Sequence, residues 1–91
     1  MGQKRYSKEE VINIIIWFQN EFIISEMNSK KRSYQTWALK VLMTRIMNSD
    51  EDPLTVTYLV RDRFLKAHLE HKDRMLGVAY DICDAVVDLL V

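Results

Sequence analysis

The most apolar stretch of the chain spans residues 11–24 and reads VINIIIWFQNEFII. Its isoleucines favour strands individually, but the run is longer than an ordinary strand. Ser7 stands three residues before Glu10, which is the spacing of a capping box. In that arrangement each side chain binds a backbone amide that the first helical turn leaves unpaired. The pattern therefore predicts a first helix over residues 8–27.

Apolar residues occupy more than one side of this first predicted helix. A helical wheel gives a main stripe that we expect to face the core, consisting of Val11, Ile14, Ile15, Phe18 and Phe22. Trp17 and Ile24 lie on roughly the opposite side, and Asn13 and Asn20 lie beside them. A helix that is apolar nearly all round is either enclosed or has a partner. Two interpretations stay open: this is the central helix of the domain, or its Trp17 and Ile24 side contacts another chain.

Local signals mark where the later helices begin. Ser33 is a suitable N-cap, so the basic residues before it are interpreted as a connection. Asp52 followed by Pro53 is typical of a helix start, because proline suits the first helical position and an acid suits the positive end. Asp73 is the proposed N-cap of the last helix. Neither glycine nor proline marks that boundary, so one long bent helix is the alternative.

These signals predict an all-α fold, a small antiparallel bundle of helices joined by short connections. The low numbers of glycine (2) and proline (1) agree with long helices and argue against a many-turned β fold. The expected helices cover residues 8–27, 33–47, 53–70 and 74–90. We expect residues 1–6 to be a flexible basic tail and residues 7–91 to form one domain.

Composition points to a reducing, aqueous environment. The chain has 91 residues and one cysteine, Cys83, which excludes an internal disulfide. No apolar run is long enough to span a membrane. Lys8, Glu9 and Glu10 interrupt any signal-peptide core near the N-terminus. We therefore expect a cytoplasmic protein without a membrane partner.

Charge is balanced overall but uneven along the chain. Residues 1–48 hold eight lysines and arginines against four glutamates, whereas residues 49–91 hold five against nine acids. Such asymmetry indicates either a basic partner surface or two mutually attracting parts of one bundle. A nucleic-acid-binding domain is therefore an alternative function. It would use the basic turn and the start of the second helix, through Lys30, Lys31, Arg32, Gln35 and Lys40.

Candidate chemistry is sparse. His68 and His71 could reach one ion from a helix face, but no further ligands complete a metal motif. Arg45, Arg61 and His68 could form a pocket for an anionic ligand, yet no base or acid is placed to complete catalysis. Pairing with acids of neighbouring helices explains these three residues more simply. We expect no enzyme activity, metal, cofactor or small-molecule substrate.

The apolar excess on the first helix favours a binding role. Tryptophan is enriched at the energetic centres of protein interfaces. We therefore predict a small protein-binding module, such as an accessory regulator, inhibitor or assembly adaptor. Its partner is another protein or a second copy of the chain in a homodimer. The predicted protein-binding residues are Trp17, Ile24, Asn13, Asn20 and Trp37.

Overall fold

A computed structural model describes residues 5–91, and this part of the chain is an all-α helical bundle, as predicted. A five-residue π-helical turn continues the first helix, and no strand occurs among the described residues. The elements are α1 (Lys8–Phe18), the π turn (Gln19–Ile23), α2 (Ser29–Met47), α3 (Pro53–His71) and α4 (Arg74–Leu90).

Most of the predicted helix starts are confirmed. The Ser7 hydroxyl accepts from the Glu10 N–H at 3.0 Å, and the Glu10 carboxylate accepts from the Ser7 N–H at 3.2 Å. Asp52 caps α3 ahead of Pro53. The prediction of Ser33 as the cap of the second helix is wrong. Asn28 performs this role by accepting from the Lys31 N–H at 3.0 Å, so the helix begins four residues earlier than expected.

Consecutive helices run antiparallel, as the order of the contacts along each pair of helices shows. The Lys8 ammonium at the start of α1 donates to the Met47 carbonyl at the end of α2, over 3.5 Å. The rings of Trp37 in α2 and Phe64 in α3 lie 5.5 Å apart. Arg61 in the middle of α3 binds Asp84 late in α4 at 3.1 Å, whereas His68 near the end of α3 lies against Gly77 near the start of α4. The predicted up-and-down arrangement therefore holds across all three connections.

The helices at the centre of the bundle are α2 and α4. Each packs against the three other helices, whereas α1 packs against α2 and α4. Six α4 residues are buried, consistent with its broad apolar surface: Ala79, Ile82, Cys83, Val86, Val87 and Leu90. The interpretation of the first helix as the central one is therefore wrong. Its apolar excess lies at the edge of the bundle instead.

Two separate helices, rather than one bent helix, form the C-terminal half. Lys72 adopts a left-handed backbone conformation (φ 52°), and its N–H donates to the His68 carbonyl at 2.6 Å. Asp73 then caps α4 by accepting from the Met75 N–H at 2.9 Å. The His68 ring donates through Nδ1 to the Asp73 carbonyl at 2.9 Å and covers Gly77. A Cβ at residue 77 would lie 3.0 Å from this ring, so glycine lets the ring pack closely on the start of α4.

Part of the predicted basic tail is packed against the domain. Tyr6 is half-buried and contacts the core, while residues 1–4 of the predicted tail lie outside the described part of the chain. Within residues 5–91, no helix is both long and apolar enough to cross a membrane.

Candidate functional site

The π turn decides which side chains of the first helix reach the solvent. The Ile24 N–H donates to the Gln19 carbonyl at 3.2 Å, an i→i+5 bond that takes one more residue into the turn than an α-helix does. The side chains beyond the start of this turn are therefore rotated about the helix axis, relative to their positions in a regular α-helix. Ile23 is buried with 3% of its surface exposed, whereas Phe22 is 53% exposed. The prediction that Phe22 belongs to the core stripe is therefore wrong.

The same rotation separates Trp17 from Ile24. Seven residues make almost two full α-helical turns, so a regular helix would place both on one side. In the structure, Trp17 packs edge-on against Phe22, with ring centroids 5.6 Å apart. Ile24 instead lines a cleft with Trp37. The structure thus joins two of the predicted binding residues, Ile24 and Trp37, and gives Trp17 a different neighbour.

Shallow clefts follow one another across the outer face of α2. The first, of about 390 Å³, lies between the end of the π turn and α2. It shares Trp37 and Lys40 with a second cleft of about 390 Å³, which shares Arg45 with a third of about 330 Å³ between α2 and α3. We call this the α2 surface, defined by Ile24, Arg32, Thr36, Trp37, Lys40, Val41, Thr44, Arg45, Leu59 and Arg63.

Positive charge predominates on the α2 surface. Its four cationic side chains are Arg32, Lys40, Arg45 and Arg63, and Glu51 is the one acid among the residues lining the three clefts. Within residues 5–91, Lys40, Arg45 and Arg63 take part in no salt bridge. Unpaired cations around apolar side chains favour a ligand that carries both apolar groups and negative charge.

The basic cluster of the alternative function lies in the first turn of α2. Lys31 forms a salt bridge with Glu26 at 3.4 Å, and Arg32 donates to the Glu26 carbonyl at 3.1 Å. The Asn28 backbone N–H, followed by Lys31 and Gln35, lowers the pKa of Glu26 against the opposing effect of burial. These cations therefore stabilise the connection before α2. Gln35 is buried, so its side chain is not placed to contact the edge of a nucleic-acid base.

The predicted polar residues of α3 and α4 make structural contacts. Arg61 binds Asp62 and Asp84 and lies over the Tyr58 ring, 5.0 Å from its centroid. Burial opposes the charge of Arg61, but Asp62 and Asp84 outweigh it and raise the arginine pKa. His68 binds the backbone of the α3–α4 turn, and Arg45 lies on the α2 surface. The three residues therefore do not form one pocket for an anionic ligand.

Two features of the described residues bear on thiol and metal chemistry. Cys83 is fully buried, and this burial raises the pKa of its thiol to about 12, so thiolate is scarce at neutral pH. Residues 5–91 contain no group of three or more His, Cys, Asp or Glu side chains able to hold a metal ion.

Sequence reasoning missed several members of the exposed surface. Asn13 and Asn20 are exposed as predicted for the first helix, but neither lines a cleft of the α2 surface. Leu59, half exposed, and Arg63 of α3 join that surface although they were not predicted. Their residue types carry no signal of their own, because only the packing of α3 beside α2 brings them to Arg45.

Comparison with known proteins yields no relative: no family model, curated protein or solved structure matches the chain.

Proposed function

We propose that this chain is a small protein-binding module that acts through the end of its first helix. The observation that carries the proposal is the exposure of large apolar side chains around the π turn. We use the name π-turn patch for the contacting rings of Trp17 (49% exposed) and Phe22 (53%) together with the exposed side chains that precede and follow them along the chain, Ile16 (44%), Ile24 (65%) and Met27 (93%). Single exposed apolar residues are ordinary, but a concentration of them is typical of interaction sites.

The aromatic part of the patch is organised for binding. Phe22 packs between Trp17 and Phe18, whose ring centroids lie 5.6 and 5.3 Å from its own. A partner therefore meets side chains that are already held, which lowers the entropy cost of association. π-helical turns also occur frequently at functional sites, since they reorient side chains at a cost in regular hydrogen bonding.

The proposal is tested by replacing Trp17 and Phe22 together with serine. Both side chains are about half exposed, so we expect the variant to keep its helicity and to lose a complex that the parent forms. Circular dichroism measures the first, and light scattering with affinity capture from the native host measures the second. Met47→Ser is the matched control, because Met47 is 60% exposed at the opposite end of the bundle.

Two results would contradict the proposal. One is loss of folding in the double variant, which would assign these rings to the core. The other is an unchanged solution mass and an unchanged set of captured proteins.

We place the module in the cytoplasm, since its one cysteine is a free buried thiol, as expected in a reducing compartment.

Nucleic-acid binding is the second candidate function, favoured by the unpaired cations around exposed Trp37 on the α2 surface. Single-stranded nucleic acids bind positive grooves with aromatic rings on which bases stack. Charge reversal at Lys40 and Arg45, which line a cleft with Trp37, should then remove a salt-sensitive affinity for DNA or RNA. Absence of binding by the parent at low salt would end this hypothesis.

A further inference from the structure

We propose that the α2 surface binds an acidic amphipathic helix supplied by a partner protein. This inference rests on the proposed protein-binding function and names the class of partner. It concerns the outer face of α2, which adjoins the π-turn patch at Ile24.

Apolar side chains form the floor of the α2 surface. Trp37 occupies the junction of two clefts, Val41 lies one turn further along α2, and Leu59 lines the third cleft. Trp37 is held on one side by the Phe64 ring, 5.5 Å away and tilted by 56°. The floor extends along a 19-residue helix. A partner helix that lays an apolar stripe into such a groove uses anchors spaced by three and four residues.

Charge selects the type of partner helix. Lys40 and Arg45 lie on either side of Val41, and Arg63 adds a third unpaired cation across the clefts from α3. Carboxylates flanking the apolar stripe of a partner helix would pair with these groups. At a partly exposed interface such pairs mainly raise the association rate and the specificity. An acidic helix is therefore attracted to this surface, whereas a basic helix is repelled and a neutral helix gains no attraction.

A protein helix suits this surface better than a nucleic acid. The clefts expose the aliphatic side chains of Val41 and Leu59 beside the cations, which leucine anchors of a helix would cover and a phosphate backbone would leave in water. A second copy of the chain is a poorer occupant as well. Its acidic helix α4 binds Arg61 through Asp84 and uses its apolar residues in the core. An acidic face with free apolar anchors is thus absent from α4.

The experiment uses the full chain and a fluorescent synthetic helix with leucines at positions i, i+3, i+4 and i+7 and glutamates elsewhere. Two matched peptides replace the glutamates by lysine or the leucines by serine. Fluorescence anisotropy at low salt should give a Kd tighter than about 100 μM for the acidic peptide and at least tenfold weaker binding for both controls. Amide chemical-shift changes should concentrate on the α2 surface.

Charge reversal on the protein locates the site. Lys40→Glu with Arg45→Glu should weaken the acidic peptide at least tenfold and strengthen binding of the lysine peptide. The control reverses two exposed cations elsewhere, Lys72→Glu with Arg74→Glu, and should change the Kd less than twofold. Circular dichroism verifies that both variants remain helical.

Four outcomes would overturn the proposal. They are absence of acidic-peptide binding, equal binding of the lysine peptide, tighter binding of a single-stranded oligonucleotide at the same amides, and a parent dimer that dissociates in the Lys40 and Arg45 variant. The last two assign the surface to nucleic acid and to a second copy. None of these outcomes bears on the test of the protein-binding function with the Trp17 and Phe22 variant. Failure of the acidic-helix proposal is therefore distinguishable from failure of the protein-binding function.

Discussion

Replacing Phe22 or Ile23 by alanine separates the two possible helical geometries at the end of helix one. A regular α-helix would place Phe22 one turn beyond Phe18 in the core, whereas the π turn places Ile23 there. Ile23 is 3% exposed and Phe22 is 53% exposed. The more costly substitution should therefore be the one at Ile23, although phenylalanine is the larger residue.

The expected magnitudes follow from burial. Truncating a buried isoleucine to alanine costs about 2–5 kcal/mol, because contacts are lost and a cavity remains. Complete burial of a phenylalanine contributes about 1.5–3 kcal/mol, so half of it together with the contacts to Trp17 and Phe18 gives about 1–2 kcal/mol. Alanine has the higher helix propensity in both variants, and this gain of a few tenths of a kcal/mol largely cancels between them.

Equilibrium unfolding in urea measures both costs, provided that the slope with denaturant is unchanged. For a domain of this size, a loss of 1 kcal/mol lowers Tm by about 4–8 °C. Ile23→Ala should then lower Tm by at least about 10 °C, and Phe22→Ala by about half as much. Ile24→Ala is the control, because Ile24 is 65% exposed and should have little effect on Tm.

The reverse order of stability would refute this reasoning. If Phe22→Ala were the more destabilising substitution, the helix would be a regular α-helix up to residue 24. Phe22 would then leave the π-turn patch, and Trp17 and Ile24 would return to a common face. Equal losses would show that neither side chain occupies the core alone.

Three further predictions concern single positions, each with its own measurement. Deleting Glu21 should turn the π turn into a regular α-helical turn with Ile23 still buried. The free energy of unfolding, measured in urea, should therefore fall by less than about 1 kcal/mol. A larger fall would contradict that geometry. Gly77→Ala should lower the free energy of unfolding of the parent, because the new Cβ would lie 3.0 Å from the His68 ring. In a His68→Ala background the same substitution should raise the free energy of unfolding by about 1 kcal/mol. A change of the same sign in both backgrounds would refute the contact. Cys83 should resist a thiol reagent at pH 8 in the native protein and react in urea, since burial raises its pKa to about 12, and rapid labelling of the native protein would show that it is accessible.

The sequence determined the elements more fully than it determined the surface. The Ser7 and Glu10 capping box, the Asp52 and Pro53 start and the Asp73 cap are local signals, and the structure confirms each of them. Such signals act within one turn of the chain, so neighbouring residues suffice to specify them. Ser33 misled because Asn28 offers an equally good cap earlier, and Glu26 stabilises that start through Lys31 and Arg32.

The candidate site depended on tertiary structure. Composition and periodicity indicated an apolar excess on the first helix, and Trp17, Ile24 and Trp37 are exposed as that excess suggested. Which of them share a surface follows from the π turn, and a helical wheel with one fixed angle per residue cannot represent such a turn. Leu59 and Arg63 join the α2 surface only because α3 packs beside α2.

By itself, then, the sequence determined an all-α bundle, the starts of most of its helices and an excess of apolar side chains. These properties follow from capping, periodicity and composition, which depend on residues close in the chain. Only the tertiary structure decided that α2 and α4 are central, that Phe22 is exposed and that Arg63 of α3 lies in a cleft with Arg45 of α2. Those outcomes depend on how four helices share one core, because burying Ile23 there required the turn that exposes Phe22.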